Sequence, residues 1–144
     1  MGLYWHRKYI TNAQLIGIYD GNEVDFAYQS GVYALYNSKY TCVYIGQAGS
    51  GDKTGLYSRL YDHTRDQLAK KWTYFSWFGF YSVNSLEKGF KYIYSAEYNI
   101  KTNVNELMNI MEAMLIGICE PNLNRKRGND INLIEEYEQK TDFK

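Results

Sequence analysis

The sequence contains few of the residues that cross-link proteins or bind zinc. Two cysteines, two histidines and one proline occur among its 144 residues. Cys42 and Cys119 each stand alone in the sequence, so neither a disulfide framework nor a zinc-binding cysteine pair is expected. With only His6 and His63 to supply imidazoles, the sequence also argues against a zinc site built from histidine and cysteine.

Long apolar segments and an excess of one charge are also missing. No run of about 18 apolar residues predicts a membrane-spanning helix, and the first residues lack the apolar segment of a signal peptide. We therefore expect a cytoplasmic protein without a membrane partner. Lys and Arg together number 16, as do Asp and Glu, so the formal net charge is zero.

Any basic patch must therefore be local, whereas nucleic-acid-binding proteins usually carry a pronounced one. The run Arg125, Lys126 and Arg127 is the strongest candidate, and Lys70 with Lys71 is the second. Solvated surface is the alternative interpretation of both groups.

Tyrosine, in contrast, is unusually abundant, with 16 residues. Its ring is apolar and its hydroxyl is polar, which suits strands and interfaces, so most of these tyrosines must be structural. Apolar residues make up 45% of the chain and charged residues 22%. These are ordinary values for a globular protein, and the length fits one domain.

Two segments rich in Val, Tyr and Ile predict a β-hairpin, because a short polar stretch separates them. They are residues Gly31–Tyr36 and Thr41–Gly46. With a four-residue loop, the last residue of the first strand would pair with the first residue of the second. The same register would place Tyr33 directly opposite Tyr44, so that two phenols stand side by side on one face.

Hydrophobic periodicity and turn signals predict the remaining elements. We expect strands at 15–19, 24–28 and 72–83, helices at 56–68 and 104–119, and a further strand or an insertion at 92–98. The second helix should bury one apolar stripe, which comprises Val104, Leu107, Met108, Met111, Met114, Leu115 and Ile118. Glu112 lies at the border of that stripe, about 40° beyond Met108 on a helical wheel. Arg59 and His63 are four residues apart and should project from one face of the first helix.

Taken together, these residues resemble the GIY-YIG nuclease family. Gly31-Val32-Tyr33 is similar to the first signature, with Val in place of Ile, and Tyr44-Ile45-Gly46 matches the second. Six polar positions follow the order of the family: Tyr33, Tyr44, Arg59, His63, Glu112 and Asn124. The resemblance covers residues 31–124 and suggests a small standalone member.

The resemblance implies an α+β fold in which helices flank a small, mainly antiparallel central sheet. Residues 31–128 would form the nuclease domain, and residues 1–30 an N-terminal extension with possible extra strands. Residues 129–144 would form a C-terminal helix or tail. The activity implied is metal-dependent hydrolysis of DNA. Single-stranded, duplex and branched substrates all remain open, and a homodimer would be expected if both strands are cut at one site.

The family pattern also implies roles for the matched residues. Tyr33 would be the general base, and His63 would orient the phosphate or the water, although His63 is also a rival base because imidazole titrates nearer neutrality. Arg59 would clamp the phosphate through its planar guanidinium; the alternative is an exposed arginine paired with Asp62 or Asp66. Glu112 would bind a single Mg²⁺ or Mn²⁺, as a hard cation prefers oxygen ligands.

Tyr44 would donate a hydrogen bond to the phosphate or the water, and Asn124 would orient the site. One departure concerns Gln47, because several relatives carry lysine at that position. The residues that activate Tyr33 are therefore an open question in this sequence.

Two alternatives to a nuclease follow from the same residues. A catalytically inactive module could bind nucleic acid through Arg59, the 125–127 run and aromatic surfaces such as Trp72 or Trp77. A phosphate-binding loop at residues 46–54 is far less favoured, because Asp52 interrupts the Gly-Lys step that a P-loop requires.

Overall fold

The computed structural model describes residues 1–10, 12–19, 21–49, 55–80, 82–83, 92–93 and 103–124. In chain order the elements are β1 (Gly2–His6), a short 3-10 helix (Arg7–Tyr9), β2 (Ile16–Tyr19), β3 (Asn22–Asp25), β4 (Gly31–Tyr36), β5 (Cys42–Ala48), α1 (Leu56–Asp62), β6 (Tyr74–Gly79), β7 (Ser82–Val83), β8 (Tyr92–Ile93) and α2 (Val104–Cys119). The class is α+β, as expected.

The main sheet has four antiparallel strands in the order β1-β6-β4-β5. β6 lies between β1 and β4, which confirms the expectation of a central strand in that part of the sequence. β2 and β3 form a separate hairpin around Gly21, and β7 pairs with β8. The extra strands anticipated before residue 31 are therefore present, and one of them, β1, is an edge of the main sheet.

The β4–β5 hairpin forms, but the predicted register is wrong. Tyr33 pairs with Gly46, and Tyr44 pairs with Leu35, so the pairing is displaced by two residues. The displacement has two parts. The loop is one residue longer than predicted, since Tyr36 pairs with Cys42 and the side-chain oxygen of Asn37 accepts hydrogen bonds from the N–H groups of Lys39 and Thr41. An irregularity in the pairing between Leu35 and Tyr36 adds the second residue. Because a shift of two preserves the face, Tyr33 and Tyr44 still share one side of the sheet as diagonal neighbours.

The first helix is shorter than predicted, since α1 ends at Asp62 rather than continuing to residue 68. Side chains in the following turns satisfy backbone groups that a longer helix would have used. Thr64 Oγ1 donates to the carbonyl of Tyr61, and Asp66 Oδ1 accepts from the N–H of Leu68.

The second helix has the predicted bounds. The side chain of Asn103 caps its start by accepting from the N–H of Asn105, and Glu120 ends it in a left-handed conformation. The predicted stripe is only partly buried. Met108 is buried and Leu107, Met111 and Leu115 are half-buried, whereas Val104, Met114 and Ile118 are exposed. Ala113 and Ile116, outside the stripe, are buried.

The reason is that α2 is apolar on most of its circumference, so periodicity does not determine which side packs inward. Ala113 lies on the buried side, and its small side chain allows a close approach to the sheet. α2 contacts β5 and β4. This rotation turns Glu112 toward β5 rather than leaving it at the border of the packed face.

The core lies mainly on the face of the sheet that carries Tyr33 and Leu35. Side chains of the β2–β3 hairpin, of α1 and of the turns after α1 cover that face: Leu15, Val24, Phe26, Leu56, Leu60, Leu68 and Trp72. No helix in the described ranges is long and apolar enough to cross a membrane. The expectation for residues 129–144 lies outside the described residues.

Candidate active site

Tyr33 occupies the centre of the candidate site, in strand β4. Its side chain is 1% exposed. The ring lies against Gly46, its cross-strand partner, and a Cβ atom at that position would come within 2.6 Å of the Tyr33 hydroxyl. The glycine of the second signature therefore makes room for the tyrosine of the first.

A chain of hydrogen bonds joins Tyr33 to two residues that follow α1. Tyr33 Oη lies 2.7 Å from His63 Nε2, and His63 Nδ1 lies 2.6 Å from Asp66 Oδ2. A carboxylate at Nδ1 favours the tautomer that carries its proton there, so Nε2 is left to accept from the phenol. His63 is buried, and both of its ring nitrogens are bonded within the protein.

Gln47 bonds to both Arg59 and Glu112, and these three residues form the second half of the site. The main-chain carbonyl of Gln47 accepts a hydrogen bond of 3.3 Å from Arg59 Nε. Its side-chain amide donates to Glu112 Oε2 at 2.6 Å and to Asn109 Oδ1 at 2.9 Å. Gln47 therefore holds the guanidinium with its backbone and the carboxylate with its side chain.

The guanidinium of Arg59 is exposed beyond this single bond. Neither of the aspartates considered as its partner takes that role, because Asp62 pairs with Arg65 and Asp66 with His63. In the described part of the chain, the terminal nitrogens of Arg59 are thus available to an anion.

The charges of Arg59 and Glu112 influence the pKa values of the phenols in the first half of the site. Burial is the main cause that raises the pKa of Tyr33 well above its ordinary value near 10. Neighbouring Tyr44 raises it further, and the charge of Arg59 lowers it. Burial likewise raises the pKa of Tyr44, followed by the carboxylate of Glu112, while Arg59 again acts in the opposite direction. Arg59 and Glu112 are therefore both close enough to influence the two phenols.

The phenols and the imidazole also contact each other through their rings. The centroid of the Tyr44 ring lies 5.0 Å from that of His63 and 6.3 Å from that of Tyr33. Tyr44 is half-buried, so part of its ring faces the same solvent-accessible side as Arg59. A ligand that reaches Arg59 would meet Tyr44 before the buried Tyr33.

The side chains of Glu112 and its neighbour Asn109, both bonded to Gln47, offer oxygen donors, which are the ligands that a hydrated hard cation takes. Among the described residues, no three His, Cys, Asp or Glu side chains form a group that could hold a metal ion. Glu112 supplies a single carboxylate with the amide oxygen of Asn109 beside it, and Mg²⁺ is commonly held by one or two carboxylates and several waters. Burial raises the pKa of Glu112, while the bond from Gln47 and the charge of Arg59 lower it.

Asn124 bonds to the backbone of β5 at the outer edge of the site. Its amide makes two hydrogen bonds with the backbone of Ile45, 2.9 Å to the N–H and 2.8 Å to the carbonyl. The N–H of Leu123 bonds to the carbonyl of Val43. The segment after α2 thus pairs with the free edge of β5 on both sides of Tyr44 and fixes the position of that residue.

Some of the residues predicted to contact nucleic acid are exposed, and others are buried. Lys70 and Lys71 are exposed, in the turns that precede β6. Trp72 and Trp77 are buried, with 3% and 5% exposure, so neither offers the surface considered for an inactive binding module. The run Arg125, Lys126 and Arg127 lies outside the described residues.

Sequence reasoning missed Asp66 and Asn109, and it misjudged Gln47. Asp66 follows His63 by three residues, a spacing at which side chains of a helix or turn meet, so the pair could have been recognised. Gln47 was considered only as a missing cation. Comparisons with models of known families, with curated proteins and with solved structures found no match.

Proposed function

We propose that this chain is a metal-dependent endonuclease of the GIY-YIG type that hydrolyses DNA phosphodiester bonds. The observation that carries the proposal is the hydrogen-bonded chain Asp66–His63–Tyr33 beside the group Arg59–Gln47–Glu112. Together they provide a route for a proton, a cation for the phosphate and a carboxylate for a metal. The signatures that resemble the family supply both tyrosines of this arrangement.

In the proposed mechanism, Tyr33 accepts a proton from the attacking water. Because its pKa is raised by burial, Tyr33 is protonated at neutral pH and must lose its own proton as it gains another. His63 Nε2, at 2.7 Å, receives that proton. The carboxylate of Asp66 stabilises the imidazolium that results, as in other base–orienter pairs.

Arg59 holds the phosphate during this step. Its planar fork matches two phosphoryl oxygens, and the bond from Nε to Gln47 fixes the direction in which the fork points. Tyr44, which the charge of Arg59 influences, keeps its proton and donates a hydrogen bond to a third oxygen or to the water. The leaving oxygen takes its proton from solvent.

Glu112 and the amide oxygen of Asn109 would hold Mg²⁺ or Mn²⁺. When bound, such an ion supplies positive charge against the phosphoryl group and the leaving oxygen. Gln47 keeps the carboxylate in place through the bond from its amide to Oε2. Because burial raises the pKa of Glu112 and a carboxylate must be ionised to bind a metal, protons would compete with the cation as the pH falls.

The test is cleavage of single-stranded, duplex and branched DNA side by side, with Mg²⁺ or with excess chelator. We expect product only with the metal, and the preferred DNA identifies the substrate. DNA binding without product in any metal would support the alternative, a module that retains the fold and binds nucleic acid without cutting it.

A further inference from the structure

A continuous row of six aromatic rings lies at the β1–β6 side of the sheet. We call it the aromatic row; neighbouring ring centroids in it are 4.6 to 6.2 Å apart, in the order Tyr36, Tyr4, Tyr40, Tyr74, His6 and Tyr9. Tyr4, Tyr9 and Tyr40 are each at least half exposed. A row of exposed rings that stabilises no core requires another explanation.

The row lies on the opposite face of the sheet from Tyr33, whereas Gln47, which pairs with Val32, lies on the same face as the row but at the β5 edge, where it contacts α2. Tyr36 and Tyr33 are three residues apart in the same strand, so their side chains point to opposite faces. Tyr74 pairs directly with both Tyr36 and His6 across neighbouring strands, which aligns the three on one face. The row is therefore a separate surface and shares no residue with the catalytic proposal.

Two tyrosines of the row have an unfavourable backbone conformation. Tyr4 and Tyr40 have φ angles of 53° and 61°, a left-handed conformation that is unusual for bulky residues. Such conformations are unfavourable and persist only where the surrounding structure holds them in place. The rings of these two strained residues contact each other at 5.5 Å.

The charges around the row have one sign. Among the described residues 1–10, 36–41 and 70–80, every charged side chain is basic: Arg7, Lys8, Lys39, Lys70 and Lys71. Lys8 lies over the ring of Tyr9 at 4.8 Å. The hydrogen bond with Tyr40 raises the pKa of Tyr74, and the charge of Lys8 acts in the opposite direction. In a chain of zero net charge, the three segments that carry the row are therefore locally basic, which suits a nucleic-acid ligand.

We propose that the aromatic row binds single-stranded nucleic acid, with bases stacked on the exposed tyrosines and phosphates near Lys8, Lys39, Lys70 and Lys71. Unpaired bases expose the faces that stack on aromatic rings, whereas paired bases in a duplex do not. This inference rests on the proposed function, which makes nucleic acid the ligand. It adds that single-stranded nucleic acid is preferred over duplex. In this proposal, Lys70 and Lys71 contact the phosphates of the strand that is bound to the row.

The test measures the binding of a fluorescein-labelled dT20 strand by anisotropy, at fixed salt and with excess chelator. The double variant Tyr40→Ala/Tyr74→Ala is expected to bind about tenfold more weakly or worse, because each stacked base contributes roughly 1–3 kcal/mol. Tyr40→Phe keeps the ring and should bind as the original does. Tyr19→Ala, an exposed tyrosine of β2 outside the row, is the matched control and should also have no effect.

A second variant separates binding from folding. Tyr40→Gly removes the ring and relieves the left-handed strain, so its melting temperature should equal or exceed that of the original while dT20 binding weakens. Lys39→Gln should lower the slope of log affinity against log salt by roughly 0.7, the value for one phosphate contact on a single strand.

Three results would overturn the inference. One is dT20 affinity in the double variant within twofold of the original protein. Another is equal affinity for the corresponding duplex, with equal sensitivity to the double variant. The third is a dimer in sedimentation that this variant dissociates without any change in dT20 binding. Because no metal is present, a chain that binds through the row but never cuts would refute only the proposed function.

Discussion

The hydroxyl of Tyr33 lies 2.7 Å from Nε2 of His63, in a part of the protein from which water is largely excluded. This contact relates the two residues that compete for the role of base. If Tyr33 receives a proton from water while His63 takes the proton of Tyr33, the two residues act in sequence. The raised pKa of Tyr33 then no longer prevents catalysis at neutral pH.

Asp66→Asn tests the orientation of His63. Asparagine can still accept from the N–H of Leu68, but it removes the charge that favours a proton on Nδ1 and stabilises the imidazolium. We expect a loss of cleavage rate of about 10²-fold or more, by analogy with other carboxylate–histidine pairs, with an unchanged melting temperature. Asp62→Asn, which affects only the exposed pair with Arg65, is the control and should cleave normally.

Tyr33→Phe and His63→Ala test the order of the relay. Loss of the group that takes the proton from water should cost about 10²–10⁴-fold in rate, and loss of the group behind it should cost less. The double variant should be no slower than Tyr33→Phe alone, because residues that act as a unit are not additive. Single-turnover kinetics measures all three, and a larger effect of His63→Ala would identify His63 as the base.

Glu112→Gln tests how burial of the Glu112 carboxyl affects the stability of the protein. Burial raises the pKa of Glu112, so its contribution to stability is fully present below the unfolded pKa of about 4.3 and is lost as pH rises through the folded pKa. At pH 7 the glutamine variant should therefore unfold at higher denaturant concentration than the original protein. The difference should shrink on acidification toward pH 4.

Glu106→Gln is the control for that experiment, since Glu106 is an exposed residue in the first turn of the same helix. It should not become more stable at pH 7. A stability of Glu112→Gln below that of the original protein at neutral pH would contradict the burial of a charged carboxylate at this position.

Asn124→Ala tests the attachment of the edge strand. Two hydrogen bonds to the backbone of Ile45 are lost, which should lower the free energy of unfolding by about 1–3 kcal/mol and slow cleavage by displacing Tyr44. Asn122→Ala removes an exposed asparagine of the same turn and should change neither quantity. Equal effects of the two substitutions would show that Asn124 has no special position.

Local signals explain how much could be predicted from the sequence. The bounds of α2 followed from hydrophobic periodicity and turn signals, and the hairpin followed from two β-rich segments around a polar loop. The register did not follow, because it depends on the length of that loop, where the Asn37 side chain makes its bonds, and on an irregularity in the pairing between Leu35 and Tyr36. The packed side of α2 also remained open, since a helix that is apolar nearly all round has no preferred face.

Contacts distant in sequence were beyond prediction. The pairing of β1 with β6 joins residues about seventy positions apart, and no local pattern encodes that choice. The site residues Tyr33 and Glu112 were identified through the family resemblance, whereas Asp66 was considered only as a partner for Arg59. Its bond to His63 is local, however, and the spacing of three residues was sufficient to suggest that pair.

The most direct test of the central claim is single-turnover cleavage of DNA by the original protein and by Glu112→Gln, under conditions in which both bind the DNA equally. We predict that the original protein cleaves with Mg²⁺ or Mn²⁺ and stops with chelator, and that Glu112→Gln yields no product with either metal. Cleavage by the variant at the original rate, or bound DNA that the original protein never cuts, would contradict the account.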